Sequence, residues 1–395
     1  MSAVAAATGP VILVLNAGSS SIKFDLFSGS TDLLRGQIEG LGASPRLKAK
    51  RLEDGLDLSR PLSDDEGRDH QAALGGLLAL INDAAPGLAV NAVGHRVVHG
   101  GITHEVPVIV TDEVMTALER LVPLAPLHQP HNLAGIRAAT AAFPQAVQVA
   151  CFDTAFHRAH PWVNDTFALP RDLYDEGVRR YGFHGLSYEY ITEHLRSVMP
   201  AAATGRLVVA HLGNGASMCA INGGRSIGST MGFTALDGLP MGTRCGQLDP
   251  GVVLYLMAEK GMDAAAISDL LYKQSGLKGL SGLSQDMREL EAAGTPEARQ
   301  AIDYFVFRVK REIGAMAAIL SGIDTLVFTG GIGENAVNIR AEVCRDLGWL
   351  GVDLDEDRNA ARQTTISRDG SRVTVLVVAT NEEEMIRRHT AALLD

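Results

Sequence analysis

The chain has few cysteines and no long apolar run, and each shortage excludes a class of protein. Its 395 residues include only Cys151, Cys219, Cys245 and Cys344, which lie far apart and form neither a CxxC pair nor a Cys/His spacing suited to zinc. We therefore expect a reduced, cytoplasmic location. No apolar run approaches the length that spans a membrane, and residues 1–9 have neither the basic segment nor the length of a signal peptide.

Positive charge is also scarce. Lys and Arg number 35 against 46 Asp and Glu, a net charge of −11, and no long basic run occurs. This balance predicts no nucleic-acid partner and no membrane partner, although local groups could still bind phosphate. The hydrophobic fraction of 46% is typical of a soluble globular protein. A chain of this length exceeds what one core usually serves, so we expect two domains.

The most informative stretch is residues 11–27, VILVLNAGSSSIKFDLF. Val11–Leu15 predicts a buried strand, and the alternation over Ile22–Leu26 predicts a second strand. In the turn between them Gly18 can adopt a positive φ. Backbone N–H groups and three hydroxyls could then point at one anion, above all phosphate. An ordinary serine-rich turn is the alternative for this loop alone.

A second stretch repeats this layout. Leu207–Ile221, LVVAHLGNGASMCAI, has the same order of strand, glycine-rich turn and strand, and each copy leads to another tight turn and a third strand. Gly18 aligns with Gly215, and Ser20 aligns with Ser217. Two copies of one phosphate-type hairpin predict two similar α/β halves facing a shared nucleotide.

A third glycine-rich turn, Gly330–Asn335, follows the apolar strand Thr325–Phe328 and opens a helix. It lacks the third glycine of a dinucleotide fingerprint and the Gly-Lys-Ser/Thr of a P-loop. Elsewhere strands and helices alternate, which predicts α/β layers, with hinges near Asp153 and Thr380. Further strands are predicted at 92–98, 146–152 and 373–379. Helices are predicted at 69–81, 111–122, 132–143, 187–199, 250–260, 296–320 and 381–394. Strands and loops are predicted over 31–66, a loop at 123–130 and irregular structure at 171–185.

Two arginines could carry chemistry. Arg96 lies on an apolar strand, where a charge needs a partner, and Arg244 lies in a glycine-rich loop before a helix. Guanidinium groups bind carboxylates and phosphates bidentately. A structural ion pair is the alternative for each of them.

Several other side chains are weaker candidates. His184 lies between glycines in YGFHG, and Asp153 ends a strand, where α/β sheets place site residues. Glu382 begins three glutamates that could either match a helix dipole or hold a metal. His128 and His131 have no nearby carboxylate, so we interpret them as structural.

Eight segments, in order, resemble the acetate kinase family of the sugar-kinase, Hsp70 and actin superfamily. They run from about residue 11 to about residue 385 and are LNAGSSSIKF, GHRVVHGG, FDTAFH, YGFHG, HLGNGAS, MGTRCGQLDPG, FTGGIGEN and TNEEE. The resemblance implies an α/β fold of two similar actin-like (ribonuclease H-like) domains with a nucleotide cleft between them. Residues 1–152 and 382–395 would form the N-terminal domain, with the carboxylate and phosphate sites, and 153–381 the C-terminal domain, with the nucleotide-binding loops.

The resemblance also implies the reaction, its cofactor and its residues. The enzyme would be a homodimer that transfers phosphate reversibly between ATP and acetate, giving ADP and acetyl phosphate, with Mg²⁺ or Mn²⁺. The catalytic residues would be Asp153, His184 and Arg244. The carboxylate site would comprise Arg96, Val98, Leu127, Phe183 and Ala235. The metal would be supported by Asn16 and Glu382. ATP would be bound by Lys23, His211, Leu212, Gly213, Asn214, Gly215, Asp286, Met287, Arg288, Gly331, Ile332, Gly333, Glu334 and Asn335.

The expected chemistry follows from the substrate's charge. A carboxylate is already ionised near pH 7 and needs no general base, so the reaction needs positioning and charge neutralisation. We assign Arg96 as the substrate clamp, Arg244 and His184 to the oxygens of the transferring group, and Asp153 to ordering Mg²⁺ and its waters.

The chain departs from the family pattern at Gln129, Ala235, Cys245 and Gln247. The family usually has Asn, Pro, Ser and Asp at these positions. Because Ala235 replaces the usual proline, the resemblance does not fix the size of the carboxylate pocket. A propionate or butyrate kinase is therefore the nearest alternative. A nucleotide-binding regulator that has lost phosphoryl transfer is the alternative from another class.

Overall fold

A computed structural model describes residues 9–18, 21–41, 44–84 and 87–394, in which strands and helices alternate. The strands are β1 Val11–Ala17, β2 Ser21–Ser28, β3 Thr31–Glu39, β4 Arg46–Arg51, β5 Arg60–Pro61, β6 Ala92–Val97, β7 Val108–Ile109, β8 Val147–Phe152, β9 Arg206–Leu212, β10 Ala216–Asn222, β11 Arg225–Ser229, β12 Thr325–Thr329 and β13 Thr374–Val377. The first helices are α1 His70–Ala84, α2 Asp112–Glu119, α3 Gln129–Ala142, α4 Trp162–Asp165, α5 Arg171–Asp175, α6 Gly185–Val198, α7 Pro200–Thr204 and α8 Pro250–Lys260. The later helices are α9 Ala264–Lys273, α10 Gly276–Ser281, α11 Met287–Ala293, α12 Pro296–Ile319, α13 Gly330–Asn335, α14 Val337–Cys344, α15 Glu356–Ala360 and α16 Glu382–Ala392. Short 3₁₀ helices lie at Val122–Leu124, Ala155–His157 and Gly348–Leu350.

These elements form two compact units. The first unit holds the described residues up to Ala155 and those from Asn381 onward, and the second unit is Phe156–Thr380. The domains predicted from the resemblance divide instead at 152/153 and 381/382, so Asp153 lies in the first unit rather than the second. In the described part of the chain no helix is both long and apolar enough to cross a membrane.

The first unit is built on an eight-stranded sheet of order β5-β4-β3-β2-β1-β6-β8-β7. Strands β1 to β5 pair antiparallel, whereas β6 pairs parallel with both β1 and β8. The C-terminal helix α16 packs on this sheet against β1 and β6. Gly94 permits that packing, because a Cβ there would lie 2.4 Å from Thr390 Oγ1. A segment remote in sequence therefore completes the unit.

The second unit is built on a five-stranded sheet of order β11-β10-β9-β12-β13. Strand β12 pairs parallel with both β9 and β13. Helix α12 begins after its N-cap Thr295, whose side chain accepts a hydrogen bond from the backbone N–H of Ala298. One apolar stripe of this helix lies in the core, since each of its residues is at most 6% exposed. These residues are Ile302, Phe305, Val309, Ile313, Met316 and Leu320.

The predicted repeat is confirmed at the level of strands. The sheet of each unit begins, in chain order, with three consecutive antiparallel strands, β1-β2-β3 and β9-β10-β11. The first strand of each trio then pairs parallel with a later strand. The predicted α/β class is confirmed as well.

Other predictions need correction. Helix α3 begins at Gln129 because Pro130 occupies its first turn, where the missing N–H costs nothing. The stretch 171–185, expected to be irregular, contains the short helix α5. Gly18 does not adopt a positive φ, and its N–H donates to Ser21 O at 2.8 Å. Ser19 and Ser20, and with them the predicted anion turn and the alignment of Ser20, lie outside the described residues.

Candidate functional site

A buried ion cluster lies where β6, β8 and α16 of the first unit meet. Arg96 is on β6, Asp153 follows β8 directly, and Glu382 is the first residue of α16. Arg96 donates from Nε to Asp153 Oδ1 at 3.0 Å and from Nη2 to Oδ2 at 2.7 Å. Its Nη1 lies 3.3 Å from Glu382 Oε2. The partner that a charge on this strand requires is therefore present.

The electrostatics of this cluster follow from burial. The side chains of Arg96, Asp153 and Glu382 are only 18%, 2% and 12% exposed. Burial disfavours the Arg96 cation, but the carboxylates of Asp153 and Glu382 outweigh that effect and raise the pKa of Arg96. Burial also raises the pKa of Glu382, and Arg96 only partly offsets this effect. Arg96 thus forms ion pairs with both carboxylates.

The turn predicted to bind phosphate lies at the end of the neighbouring strand. Asn16 and Lys23 are directly opposite each other across β1 and β2. Asn132 ties this end of the sheet together, because its Nδ2 donates to Ala17 O at 2.9 Å and its Oδ1 accepts from Val98 N at 3.0 Å. His70 Nε2 lies 2.8 Å from Gly18 O. Sequence reasoning missed Asn132 and His70.

Metal binding was predicted for Asn16 and Glu382. Within the ranges that the structure describes, no group of three or more His, Cys, Asp or Glu side chains is placed to hold a metal. His131 stacks on His70, with ring centroids 5.9 Å apart.

In the second unit, His184 and His211 stack face to face. Their ring centroids are 4.3 Å apart and their planes differ by 23°. His184 precedes α6 and adopts the left-handed conformation, with φ 58° and ψ 25°. This conformation is uncommon for a residue other than glycine, and such strain clusters at functional sites. His184 Nδ1 lies 2.8 Å from Ser217 Oγ on β10.

The backbone just before His184 is also fixed in place, by contacts with His157. His157 Nε2 lies 2.9 Å from Phe183 O, and burial lowers the pKa of His157 to about 4, so its ring is neutral at pH 7. Gly182 (φ 73°) lies against this ring, where a Cβ would come within 2.6 Å. The backbone around His184 is therefore fixed by packing as well as by hydrogen bonds.

The loop that carries Arg244 adjoins the turn between β9 and β10. Gly242 N donates to Asn214 O at 3.2 Å. Arg244 Nη1 donates to Ala235 O at 3.1 Å. Gly276 (φ 64°) at the start of α10 packs on this loop so closely that a Cβ would lie 2.2 Å from Met241 O. The structure thus brings the predicted HLGNG turn and the Arg244 loop together.

A cavity of about 790 Å³ opens beside the same turn. Eight predicted ATP residues line it: Gly213, Asn214, Asp286, Met287, Arg288, Gly331, Ile332 and Asn335. Four further lining residues were not predicted: Gln285, Glu291, Ala336 and Arg362. His211, Leu212, Gly215, Gly333 and Glu334 are not among the residues that line it, and Lys23 belongs to the first unit.

Glu334 and Arg340 hold the third glycine-rich turn. Glu334 Oε1 accepts from Gly330 N at 2.9 Å. Arg340 is fully buried, and its Nη1 donates to the carbonyl oxygens of Gly333 and Glu334, both at 2.8 Å. Its Nε donates to Asn359 Oδ1 at 2.9 Å. Sequence reasoning missed Arg340, because no local pattern marks a buried cation on a short helix.

The residues predicted for the carboxylate pocket are placed as follows. Phe183 is buried, and Val98, Leu127 and Ala235 are half-buried. The strand predicted at 92–98 ends at Val97, so Val98 lies just beyond the strand that carries Arg96. The roles of these four residues stay predictions.

The departures from the family pattern fall on structural contacts. Gln129 is fully buried, and its Nε2 donates to His99 O at 3.1 Å. Gln247 Oε1 accepts from Arg308 Nη2 at 3.1 Å and contacts Arg311. Cys245 is half-buried, and burial raises the pKa of its thiol.

Comparisons with known proteins agree with these features. The Acetokinase family matches residues 11–388. The chain is 59% identical to the acetate kinase of Methylocella silvestris, covering 97% of this chain and 98% of that protein, and 55% identical to that of Nitrobacter hamburgensis, covering 97% and 96%. Among solved structures it is similar to Porphyromonas gingivalis acetate kinase (TM-score 0.89, 39% identity, 98% of this chain and 100% of that one). It is also similar to a propionate kinase from Francisella tularensis (TM-score 0.91, 36% identity, 97% and 99%).

Proposed function

The chain belongs to the acetokinase family, and from this membership we infer that it is an acetate kinase with the actin-like two-domain fold. It transfers a phosphoryl group reversibly between ATP and acetate, giving ADP and acetyl phosphate. The observation that carries this inference is the similarity to acetate kinases over almost the whole length of both chains.

The ion cluster supports the proposed roles of Arg96, Asp153 and Glu382. A carboxylate substrate is bound well by a charged hydrogen-bond donor, and Asp153 occupies Nε and Nη2 of Arg96, which fixes the guanidinium group and leaves Nη1 for another partner. Its contact with Glu382 is the longer one, at 3.3 Å, so we propose that Nη1 exchanges this partner for acetate.

Mg²⁺ is the proposed cofactor, and the residues of the cluster fit it. Two carboxylates with little exposed surface lie together at Arg96, and carboxylate oxygens are the ligands that Mg²⁺ prefers. Asp153 and Glu382 would hold the ion and its waters, with Asn16 in support. When bound, Mg²⁺ neutralises charge on the phosphates of ATP.

The second unit supplies the proposed nucleotide and transfer residues. The cavity of about 790 Å³ is large enough for a nucleotide. We propose that Arg244 and His184 stabilise the oxygens of the transferring group. The remaining predicted ATP and pocket residues, including Lys23, His211, Leu127 and Ala235, keep their roles as proposals.

We also propose a homodimer in a cytoplasmic setting. Helix α8 buries none of its residues. Its large apolar side chains include Leu254, Tyr255 and Met257, which are 66%, 50% and 52% exposed. A second copy of the chain would cover this apolar surface. None of the four cysteines, all within the described residues, forms a disulfide, and the cytoplasmic setting stays a proposal.

The test is production of acyl phosphate. Purified protein is incubated with ATP and Mg²⁺ and with acetate, propionate or butyrate in parallel, and the product is trapped as a hydroxamate. We expect acetyl phosphate at the highest kcat/KM and appreciable propionyl phosphate. Absence of any acyl phosphate would refute the kinase, and a preference for propionate would favour the propionate kinase instead.

A further inference from the structure

Two buried hydroxyl groups lie behind the stacked histidines of the second unit. Ser217 Oγ lies 2.8 Å from His184 Nδ1 and 2.5 Å from Tyr188 Oη. Ser217 and Tyr188 are both 0% exposed. Each hydroxyl carries one proton, so the direction of donation along this chain decides which nitrogen of His184 is protonated.

The chemistry of the two hydroxyls selects one direction. A phenol is a stronger acid than an aliphatic alcohol and is therefore the better donor. If Tyr188 donates to Ser217, the single Ser217 proton is free to donate to His184 Nδ1. His184 then carries its proton on Nε2.

That nitrogen faces the predicted phosphate turn. A Cβ on Gly215 would lie 3.2 Å from His184 Nε2, so the nitrogen lies directly against the turn between β9 and β10. An N–H at this position is a hydrogen-bond donor for a phosphoryl oxygen, whereas a bare nitrogen would repel it.

The neighbouring histidine has a parallel arrangement. Thr380 Oγ1 donates to Ser187 Oγ at 2.8 Å, and Ser187 Oγ lies 2.8 Å from His211 Nδ1. Ser187 precedes Tyr188 on α6, so adjacent residues serve the two rings. Two imidazolium ions stacked at 4.3 Å would repel each other, so the stacking disfavours the state in which both rings are charged.

We propose that Ser217 and Tyr188 are positioning residues that fix His184 as the Nε2–H tautomer, so that it presents a donor to the transferring phosphoryl group. The use of that donor rests on the proposed function. The tautomer itself does not, because it is a property of the protein without substrate.

The tautomer is measured directly by long-range ¹H–¹⁵N correlation on the full chain labelled at histidine rings, with His184 assigned from the His184→Gln spectrum. We expect unprotonated Nδ1 and protonated Nε2 in the wild type. Ser217→Ala should give a mixed or reversed pattern at His184, and Ser217→Thr, which keeps the hydroxyl, should restore the original one. Ser187→Ala is the matched control and should alter His211 while leaving the His184 tautomer unchanged.

Kinetics provide the second readout. Ser217→Ala should lower kcat ~10- to 100-fold, by analogy with the loss of an outer partner of a metal-bound histidine, with KM for ATP little changed. Tyr188→Phe should act in the same direction. A protonated Nδ1 in the wild type, or an unchanged tautomer in folded Ser217→Ala, would overturn the proposal. If the wild-type protein shows the expected tautomer but produces no acyl phosphate, the proposed function alone is refuted.

Discussion

At the scale of single residues, Arg244 is the side chain whose loss we expect to cost most. It lies in a loop fixed by α10 and by the turn between β9 and β10, and its Nη1 is bonded to a neutral carbonyl oxygen, Ala235 O, at 3.1 Å. Arg244→Ala should lower kcat ~10³-fold or more, as for other cations that act on a phosphoryl transition state. Steady-state kinetics with acetate measure this effect. Arg244→Lys keeps the charge without the planar fork, so its kcat should lie between those of the wild type and Arg244→Ala. A near-wild-type kcat in Arg244→Ala would show that Arg244 has no part in the mechanism.

Selectivity between acids should depend on Ala235 and Val98. Ala235→Pro keeps the carbonyl that accepts from Arg244 and adds volume, so the kcat/KM ratio should shift towards acetate. Val98→Ala removes volume and should shift the ratio towards propionate. One methylene in an apolar pocket changes the ratio of kcat/KM values for two substrates by only ~10- to 200-fold. If neither variant changes the ratio, these residues do not line the pocket.

Asp25 should make stability depend on pH. It is 3% exposed, and burial raises its pKa from 3.8 to about 7 despite its contact with Arg35 at 2.9 Å. Between these pH values the folded protein binds a proton that the unfolded chain has released, so the stabilisation is complete below about pH 4 and is lost as the pH rises to about 7. Asp25→Asn cannot ionise and should become more stable than the wild type across this window, by up to ~4 kcal/mol.

Urea denaturation at a series of pH values measures this difference. Asp65→Asn, which removes an exposed carboxylate of the same unit, is the control for the loss of one negative charge. A difference between wild type and Asp25→Asn that stays flat from pH 4 to pH 8 would show that Asp25 ionises normally.

The sequence could predict that Arg96 has a partner but could not fully identify it. A charge on an apolar strand demands a counter-ion wherever that strand lies. Asp153 and Glu382 are 57 and 286 positions away along the chain, so only the pairing of β6 with β8 and the docking of α16 bring them together. The hydroxyls behind His184 were missed for the same reason.

At the scale of elements, the turn Gly330–Asn335 depends on a helix outside it. Arg340 on α14 supplies donors to two of its carbonyl oxygens, and burial lowers the pKa of this arginine. Arg340→Met should free those carbonyls and raise KM for ATP about tenfold while changing kcat less, on the scale of other lost supporting contacts. Arg345→Met, which changes an exposed arginine after the same helix, should leave KM unchanged. Equal KM values for both variants would contradict the supporting role of Arg340.

Element prediction succeeded where caps and periodicity agree. The helices predicted at 250–260 and 296–320 both begin at a proline that follows an N-cap, Asp249 and Thr295 respectively. Short elements such as β7, α10 and α15 were missed, because two to six residues are too few to show a period. The positive φ expected for Gly18 was wrong, because glycine permits a positive φ without requiring it.

At the scale of the whole molecule, assembly is the property most open to test. Leu254→Glu with Met257→Glu should place charge on the apolar surface of α8 and convert the proposed dimer to monomer in sedimentation velocity. Trp349→Glu changes a residue that is 70% exposed on another element of the same unit and should leave the sedimentation coefficient unchanged. Wild-type protein that sediments as a monomer, or a double variant that remains a dimer, would refute this interface.

The first unit is assembled from two separate stretches of chain, and this has a consequence for protein synthesis. Residues 156–380 leave the ribosome before α16 does, so the second unit can fold while the first still lacks its last helix. Until then β1 and β6 have an uncovered apolar surface, and Arg96 has Asp153 but not Glu382. The nascent chain therefore carries an incomplete domain throughout translation of the second unit, which makes it a substrate for chaperones that bind exposed apolar surface.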